Sequence, residues 1–216
     1  MLGRDREMAL LANMVELSFG HRRGQVVLLV GDAGVGKTRI ANELGSQVVG
    51  SDAGALTLSG RCVPYGETNP WWPIAEVLRD ACGIAVDAPL VDARDTLDKV
   101  VRSLGIYADD VEQMVAGVLH VLGLEGPLRG LEPARARVEA TESLLGFVEA
   151  AARRQPIMVR LADLHWADEM VLDLIDTLAG RLAREAFVLV GTTRASLLDR
   201  WSPRPGRHNV LVLTID

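Results

Sequence analysis

Gly31-Asp32-Ala33-Gly34-Val35-Gly36-Lys37-Thr38 satisfies the pattern G-x-x-x-x-G-K-[ST] at every fixed position. The flanks agree with it. Residues 25–30 (Gln-Val-Val-Leu-Leu-Val) are a short apolar, β-branched run that predicts a buried strand. Residues 39–49 carry Ile40, Ala41, Leu44 and Val48 at helical spacing. The pattern therefore joins a strand to a helix, which restricts the chain to an α/β architecture with a phosphate loop.

Glycines at 31, 34 and 36 let the backbone come close to a polyphosphate. The loop N–H groups and the helix N-terminus offer partial positive charge to phosphate oxygens. Lys37 is placed to reach the β- and γ-phosphates, and the Thr38 hydroxyl to ligate Mg²⁺. The candidate contacts for ATP or ADP are Gly31, Ala33, Gly34, Val35, Gly36, Lys37, Thr38 and Arg39.

The 216 residues allow one large α/β domain, or a domain with a small insertion. With 49% hydrophobic and 24% charged residues, the chain can bury a sizeable core, which argues against disorder. A net charge of −6 argues against gripping nucleic acid directly. Cys62 and Cys82 form no C-x-x-C pair, which suits a reduced, cytoplasmic setting. No signal peptide opens the chain, and no apolar run has the length of a membrane span.

Residues 8–17 predict a helix with Leu10, Leu11, Met14 and Leu17 packed on the sheet and Asp5 as its cap. A second strand is expected at 55–59, followed by a Pro- and Gly-rich loop that carries Arg61, Trp71 and Trp72. Arg61 either faces the nucleotide or makes a salt bridge. The two tryptophans either pin the loop or present a partner patch, and pinning is favoured because Trp is usually buried. Helical patterns at 74–82, 91–104, 111–122 and 134–154 form an insertion of about residues 74–154 before the next strand. Cys82 and His120 lie inside these apolar patterns and read as packed residues rather than metal ligands.

Residues 156–163 predict a mostly apolar strand ending in Asp163, the position from which a carboxylate serves Mg²⁺ or the attacking water. Asp168 and Glu169 read as the cap and first turn of a helix over 170–184. The strand at 187–192 runs into Thr192, Thr193 and Arg194, which are placed to feel the γ-phosphate. Arg194 is either a charge stabiliser or the start of a solvated turn. Arg200, Arg204 and Arg207 belong to a loop expected to be exposed. A final strand at 209–215 reads as a cut inside a longer protein.

Four separated pieces then line up: Gly3-Arg4-Asp5-Arg6-Glu7, the phosphate loop, Gly60-Arg61-Cys62-Val63-Pro64-Tyr65-Gly66-Glu67 with Trp72-Pro73, and Leu164-His165-Trp166-Ala167-Asp168. Together they resemble the ATPase domain of bacterial STAND-type regulators, the large LuxR-family (MalT-like) activators and related AAA-type ATPase regions. Gly191-Thr192-Thr193-Arg194 is similar to that family's sensor-1 strand. The resemblance implies a three-layer P-loop NTPase with a parallel five-stranded sheet in the order 5-1-4-3-2, and one ATPase domain over residues 1–216 cut from a multidomain regulator. It further implies ATP and ADP as switch ligands with Mg²⁺, Arg4 near the adenine, and self-association. The partners it implies are a winged helix, helical repeats and a DNA-binding domain elsewhere in the parent. Relatives commonly end the Walker B strand, matched here by residues 156–163, with two carboxylates; here the first of the pair is Ala162. Asp163 then matches the water-activating position, unless it shifts to serve the metal.

Three readings follow. The first is a nucleotide-operated regulatory module with slow hydrolysis, carried by Lys37, Thr38, Asp163 and Arg194. The second is a nucleotide-responsive interaction module that does not hydrolyse, which Ala162 favours. The third is a P-loop kinase for a small molecule, with the helical insertion holding the acceptor.

Overall fold

The computed structural model describes residues 4–51, 53–64, 69–202 and 208–216. β1 (Gln25–Val30) is buried along nearly all its length, because it has a strand on both edges and helices on both faces. It pairs in parallel with β4 (Phe187–Thr193) and β5 (Val210–Thr214). β3 (Ile157–Ala162) lies beside β4, and β2 (Leu56–Arg61) beside β3, also in parallel. The order is β2-β3-β4-β1-β5, the reverse statement of 5-1-4-3-2.

Alternation along the strands feeds two separate cores. Val27, Leu29, Met158, Val188 and Val190 pack under α1 (Asp5–His21) and α2 (Lys37–Val49), against Met8, Leu11, Ile40 and Leu44. Val26, Leu28, Val159, Leu161 and Leu189 enter the larger core on the other face. That face is covered by α3 (Trp72–Cys82), α4 (Leu90–Ser103), α5 (Ala108–Val121), α6 (Pro133–Arg154) and α7 (Glu169–Arg181). The helical insertion between β2 and β3 is therefore part of the main core. α3 lies directly on β2, where a Cβ at Gly60 would come within 2.1 Å of the Pro73 carbonyl oxygen. α5 and α6 approach closely at Gly117, where a Cβ would fall 2.2 Å from that of Ser143.

Several local expectations need correction. α1 begins at Asp5, with Arg4 at the cap position and no side-chain cap, so Asp5 is a first-turn residue. Leu10 and Leu17 are exposed, because the stripe that meets the sheet runs through Met8, Leu11 and Ser18, with Met14, Val15 and Phe19 partly buried beside it. Trp71 is buried at the entry to α3, as the pinning reading expects. Asp168 does cap α7, accepting from the Met170 N–H at 2.9 Å. Cys82 is buried in the larger core and burial pushes its thiol up to about 12. No helix among the described residues is long and apolar enough to cross a membrane.

Candidate nucleotide site

Because all five strands are parallel, their carboxyl ends share one edge of the sheet. The phosphate loop leaves β1 there, Arg61 ends β2, Asp163 follows β3 and Arg194 follows β4. Open α/β sheets bind ligands at this edge.

The phosphate loop is shaped by its backbone. Gly34 and Gly36 have φ of 86° and 97°, in the left-handed region that suits glycine, and open space surrounds both. At Gly31 a Cβ would lie 2.2 Å from the Ile215 carbonyl oxygen, so close approach to the end of β5 requires glycine there. The Gly31 N–H donates to the Thr193 carbonyl at 3.3 Å, which ties the loop to β4. Lys37 is buried at the start of α2, and its Nζ donates to the Gly31 and Asp32 carbonyls at 2.8 and 2.7 Å. Burial lowers its pKa first; Asp163 opposes that shift and Arg194 adds to it, so these two charges act on the ammonium. Ala33, Thr38 and Arg39 are exposed, and Val35 is half-buried. Arg4 donates to the Val35 carbonyl at 3.5 Å and to the Asp216 carbonyl, and pairs with Glu7 at 3.0 Å. It thus reaches the loop.

The end of β3 is different. Asp163 is half-buried and left-handed, with φ 60° and ψ 42°, a conformation aspartate tolerates better than most residues. Its N–H donates to the buried Thr192 Oγ1 at 3.1 Å, and its carboxylate accepts from both Arg61 Nε and Nη2 at 3.0 Å. Of the two readings of Arg61, the salt bridge is the one present. Thr192 and Thr193 are buried and hydrogen-bonded within the fold: Thr193 Oγ1 donates to the Arg194 carbonyl at 3.1 Å. They hold the site's frame rather than facing a ligand. Arg194 itself is exposed at the edge. Arg200 is exposed, as expected, and it donates to the His165 and Ala167 carbonyls at 3.1 and 2.8 Å and so holds the loop after β3. Gly3, the 65–67 piece, Arg204 and Arg207 lie outside the described residues.

Arg160, unusual within a strand, is accommodated by Gly45 of α2. A Cβ at Gly45 would come 3.0 Å from the Arg160 Nε, and Arg160 Nη1 donates to Asn42 Oδ1 at 2.7 Å. Cys62, immediately after β2, donates its N–H to the Ala162 carbonyl at 2.9 Å. Its thiol is pushed up to about 12, by burial and then by Asp163. Sequence reasoning placed Thr192 at the site but not as the partner of the Asp163 N–H, and it gave Arg200 and His165 no role there. The signal for Thr192 was its polar side chain near the end of a mostly apolar strand; Arg200 and His165 had none short of the tertiary contacts.

The donor set fits a polyphosphate: open loop N–H groups, a lysine ammonium and a nearby guanidinium. Thr38 and Asp163 supply hard oxygen donors of the kind Mg²⁺ takes while keeping several waters. Among the described residues no group of three or more His, Cys, Asp or Glu could hold a metal by itself.

Residues 1–190 match the AAA ATPase domain family. The chain belongs to that family. A relative, "Uncharacterized protein R02095" of Rhizobium meliloti (strain 1021), is 29% identical over 190 residues, covering 83% of this chain and 17% of its own length. This AAA ATPase domain therefore spans about a sixth of that relative. The Aeropyrum pernix ORC1 protein, solved in complex with DNA, superimposes with a TM-score of 0.52 at 15% identity, covering all of this chain and 46% of that one. That likeness supports the fold. A STAND protein with a tetratricopeptide repeat sensor from Pyrococcus horikoshii is similar at a TM-score of 0.41 and 16% identity, covering the whole chain and 23% of its own length.

Proposed function

We propose that this AAA ATPase domain is the ATP/ADP-operated switch of a larger, STAND-type transcriptional regulator, with slow hydrolysis resetting it. The observation that carries the reading is the contrast at the carboxyl edge of the sheet. The phosphate loop has every group it needs, whereas the end of β3 offers one carboxylate, already paired with Arg61. Tight holding with poor turnover is what a switch needs. In this reading the loop N–H groups and Lys37 bind the phosphates, and Thr38 holds Mg²⁺. Asp163 serves the metal or its water, Arg194 responds to the γ-phosphate, and Arg4 lies toward the base. Differential affinity of ATP and ADP for two arrangements of the parent protein would supply the bias. The winged helix, helical repeats and DNA-binding domain of that parent are the proposed partners, together with self-association and cytoplasmic residence. The chain is one domain of it, with residues 74–154 as its helical insertion.

A second reading, a nucleotide holder with no hydrolysis, is favoured by Ala162 beside an ion-paired Asp163. Equilibrium binding of fluorescent ATP and ADP, with and without Mg²⁺, tests both against a Lys37→Ala control. The switch reading expects Lys37→Ala to weaken binding by about a hundredfold, the equivalent of two charge-assisted hydrogen bonds. Binding that ignores Lys37 would reject the phosphate-loop site. Binding indifferent to Mg²⁺, with no turnover, would select the holder.

A further inference from the structure

The carboxyl edge of the sheet carries the candidate nucleotide site, and the amino edge has charges of its own. Four segments meet there: the turn after α1, the start of β1, the turn between α7 and β4, and the approach to β5. They line an open pocket of about 450 Å³, within the range of small-molecule sites. Its basic side chains are those of His21, Arg22, Arg23, Arg184 and His208, and all five residues are exposed. Among the described residues no Asp or Glu lines it. Such a pocket stands out on a chain whose net charge is −6.

The arginines there differ in what holds them. Arg22 pairs with Glu185 and donates to the Ala152 carbonyl at 3.4 Å. Glu185 is shared, since Arg153 Nε lies 3.6 Å from its other carboxylate oxygen. Arg23 and Arg184 have no side-chain hydrogen bond or ion pair among the described residues. Elsewhere this chain pairs its arginines readily: Arg94, Arg102, Arg135 and Arg181 each hold a carboxylate.

The helix dipole does not account for the two unpaired ones. His21 and Arg181 stand in the last turns of α1 and α7, where cations complement the dipole, whereas Arg23 and Arg184 lie beyond the helix ends. Carbonyls that would repel an anion are already engaged. Ser18 O accepts the Arg23 N–H at 3.0 Å, and Ala179 O accepts from Asn209 Nδ2 at 2.6 Å. Asn209 also donates to the Gly24 carbonyl at 3.2 Å. A Cβ at Gly24 would fall 2.1 Å from the Leu182 carbonyl oxygen, so the turns that carry Arg23 and Arg184 are in direct backbone contact. Two guanidinium groups without partners are thus brought to one pocket by a packed main chain.

We infer that this pocket is a second anion site, which holds a small phosphate-bearing anion between Arg23 and Arg184. A guanidinium fork matches phosphate oxygens bidentately, and the His21 and His208 rings can add N–H donors. The described lining has no large apolar side chain to anchor a protein partner and no aromatic ring besides the imidazoles to stack a base. The six residues of β1 put this edge roughly 16 Å from the phosphate loop. The site therefore stands apart from the nucleotide, and the inference does not rest on the nucleotide reading.

The test is calorimetric binding of inorganic pyrophosphate to the 216-residue chain, with Lys37→Ala present throughout to suppress the phosphate loop. Arg23→Gln and Arg184→Gln each remove one exposed charge and leave the core untouched. Each is expected to weaken binding about tenfold, as for one hydrogen bond to a charged group. Arg184→Lys keeps the charge but loses the fork, and its affinity should fall in between. No binding, or equal binding by all the variants, would overturn the site. Hexaglutamate and a short DNA duplex are measured beside pyrophosphate; if either binds more tightly than pyrophosphate and with the same dependence on both arginines, the small-anion assignment fails. A second measurement uses the chain with Lys37 intact. The Arg23 and Arg184 Nε–Hε resonances should move on adding pyrophosphate while that of Arg137, exposed on α6, stays in place. Equal movement at all three would mean diffuse attraction and would also overturn the site.

Discussion

The phosphate loop and the end of β3 stand on either side of β4 and approach the same place by different means. The loop's shape is held by main chain: positive φ at Gly34 and Gly36, close approach at Gly31, and a Gly31 N–H on β4. The end of β3 depends on side chains. One left-handed aspartate is oriented by the Thr192 hydroxyl and partly neutralised by Arg61. Backbone donors cannot be lost by a change of side-chain type unless sterics intervene, so the phosphate binding proposed for them would be robust. A lone carboxylate is easily weakened. Hydrolysis can therefore fall while holding survives, which is the division of labour a switch requires.

Four changes would break or sharpen that contrast. The largest effect is expected at the loop. Gly31→Ala drives a Cβ against the Ile215 carbonyl and should cost about 3 kcal/mol in denaturant unfolding, as overpacking against fixed backbone does. A loss below about 1 kcal/mol would mean that the loop yields, and that its main-chain frame is not the rigid half. Next, Ala162→Asp returns a second carboxylate to the end of β3. Steady-state phosphate release should rise about a hundredfold, with ATP affinity changed by no more than about twofold. No gain would place the barrier elsewhere and favour the non-hydrolysing holder.

Asp163→Gly is expected to leave stability unchanged or raise it by up to about 1 kcal/mol in thermal unfolding, since glycine accepts φ 60° freely, while any hydrolysis is lost. A clear destabilisation would show that the Arg61 and Thr192 contacts outweigh the backbone cost. The smallest effect belongs to Arg61. Its ion pair with Asp163 is only partly shielded, the two side chains being 70% and 28% exposed, so it is worth well under 1 kcal/mol. Arg61→Ala should lower the Mg²⁺ concentration for half-maximal ATP binding by about threefold. An increase instead would assign Arg61 to the nucleotide rather than to the carboxylate.

The frame of the site was readable before the structure because its signals are local. Buried parallel strands demand continuous apolar runs, which is why 25–30, 157–162 and 187–193 stand out. α6 and α7 also lie close to their predicted bounds, because 3.6-residue spacing survives wherever a helix has one buried stripe. Where a helix has a narrow contact, as α1 does, the same spacing overstated burial at Leu10 and Leu17. The polar ends of the strands were located correctly but misassigned in part. Thr192 and Thr193 read as ligand-facing, whereas the crowding of a central strand turns both hydroxyls to neighbouring backbone.

By itself, the sequence determined the strand–loop–helix unit, the loop's glycines, the lysine and hydroxyl at the start of α2, and the single acid after β3. Each of these is a property of a few consecutive residues. Only the tertiary structure decided that Arg61 sits on Asp163 across 102 residues, that Thr192 orients Asp163 across 29, and that Arg200 holds the His165 loop across 35. It also decided that Arg23 and Arg184 line one pocket, at the edge opposite the nucleotide site. Parallel pairing brings the strand ends together regardless of their separation along the chain, so the partners of a side chain at that edge are set by strand order, which no local pattern records.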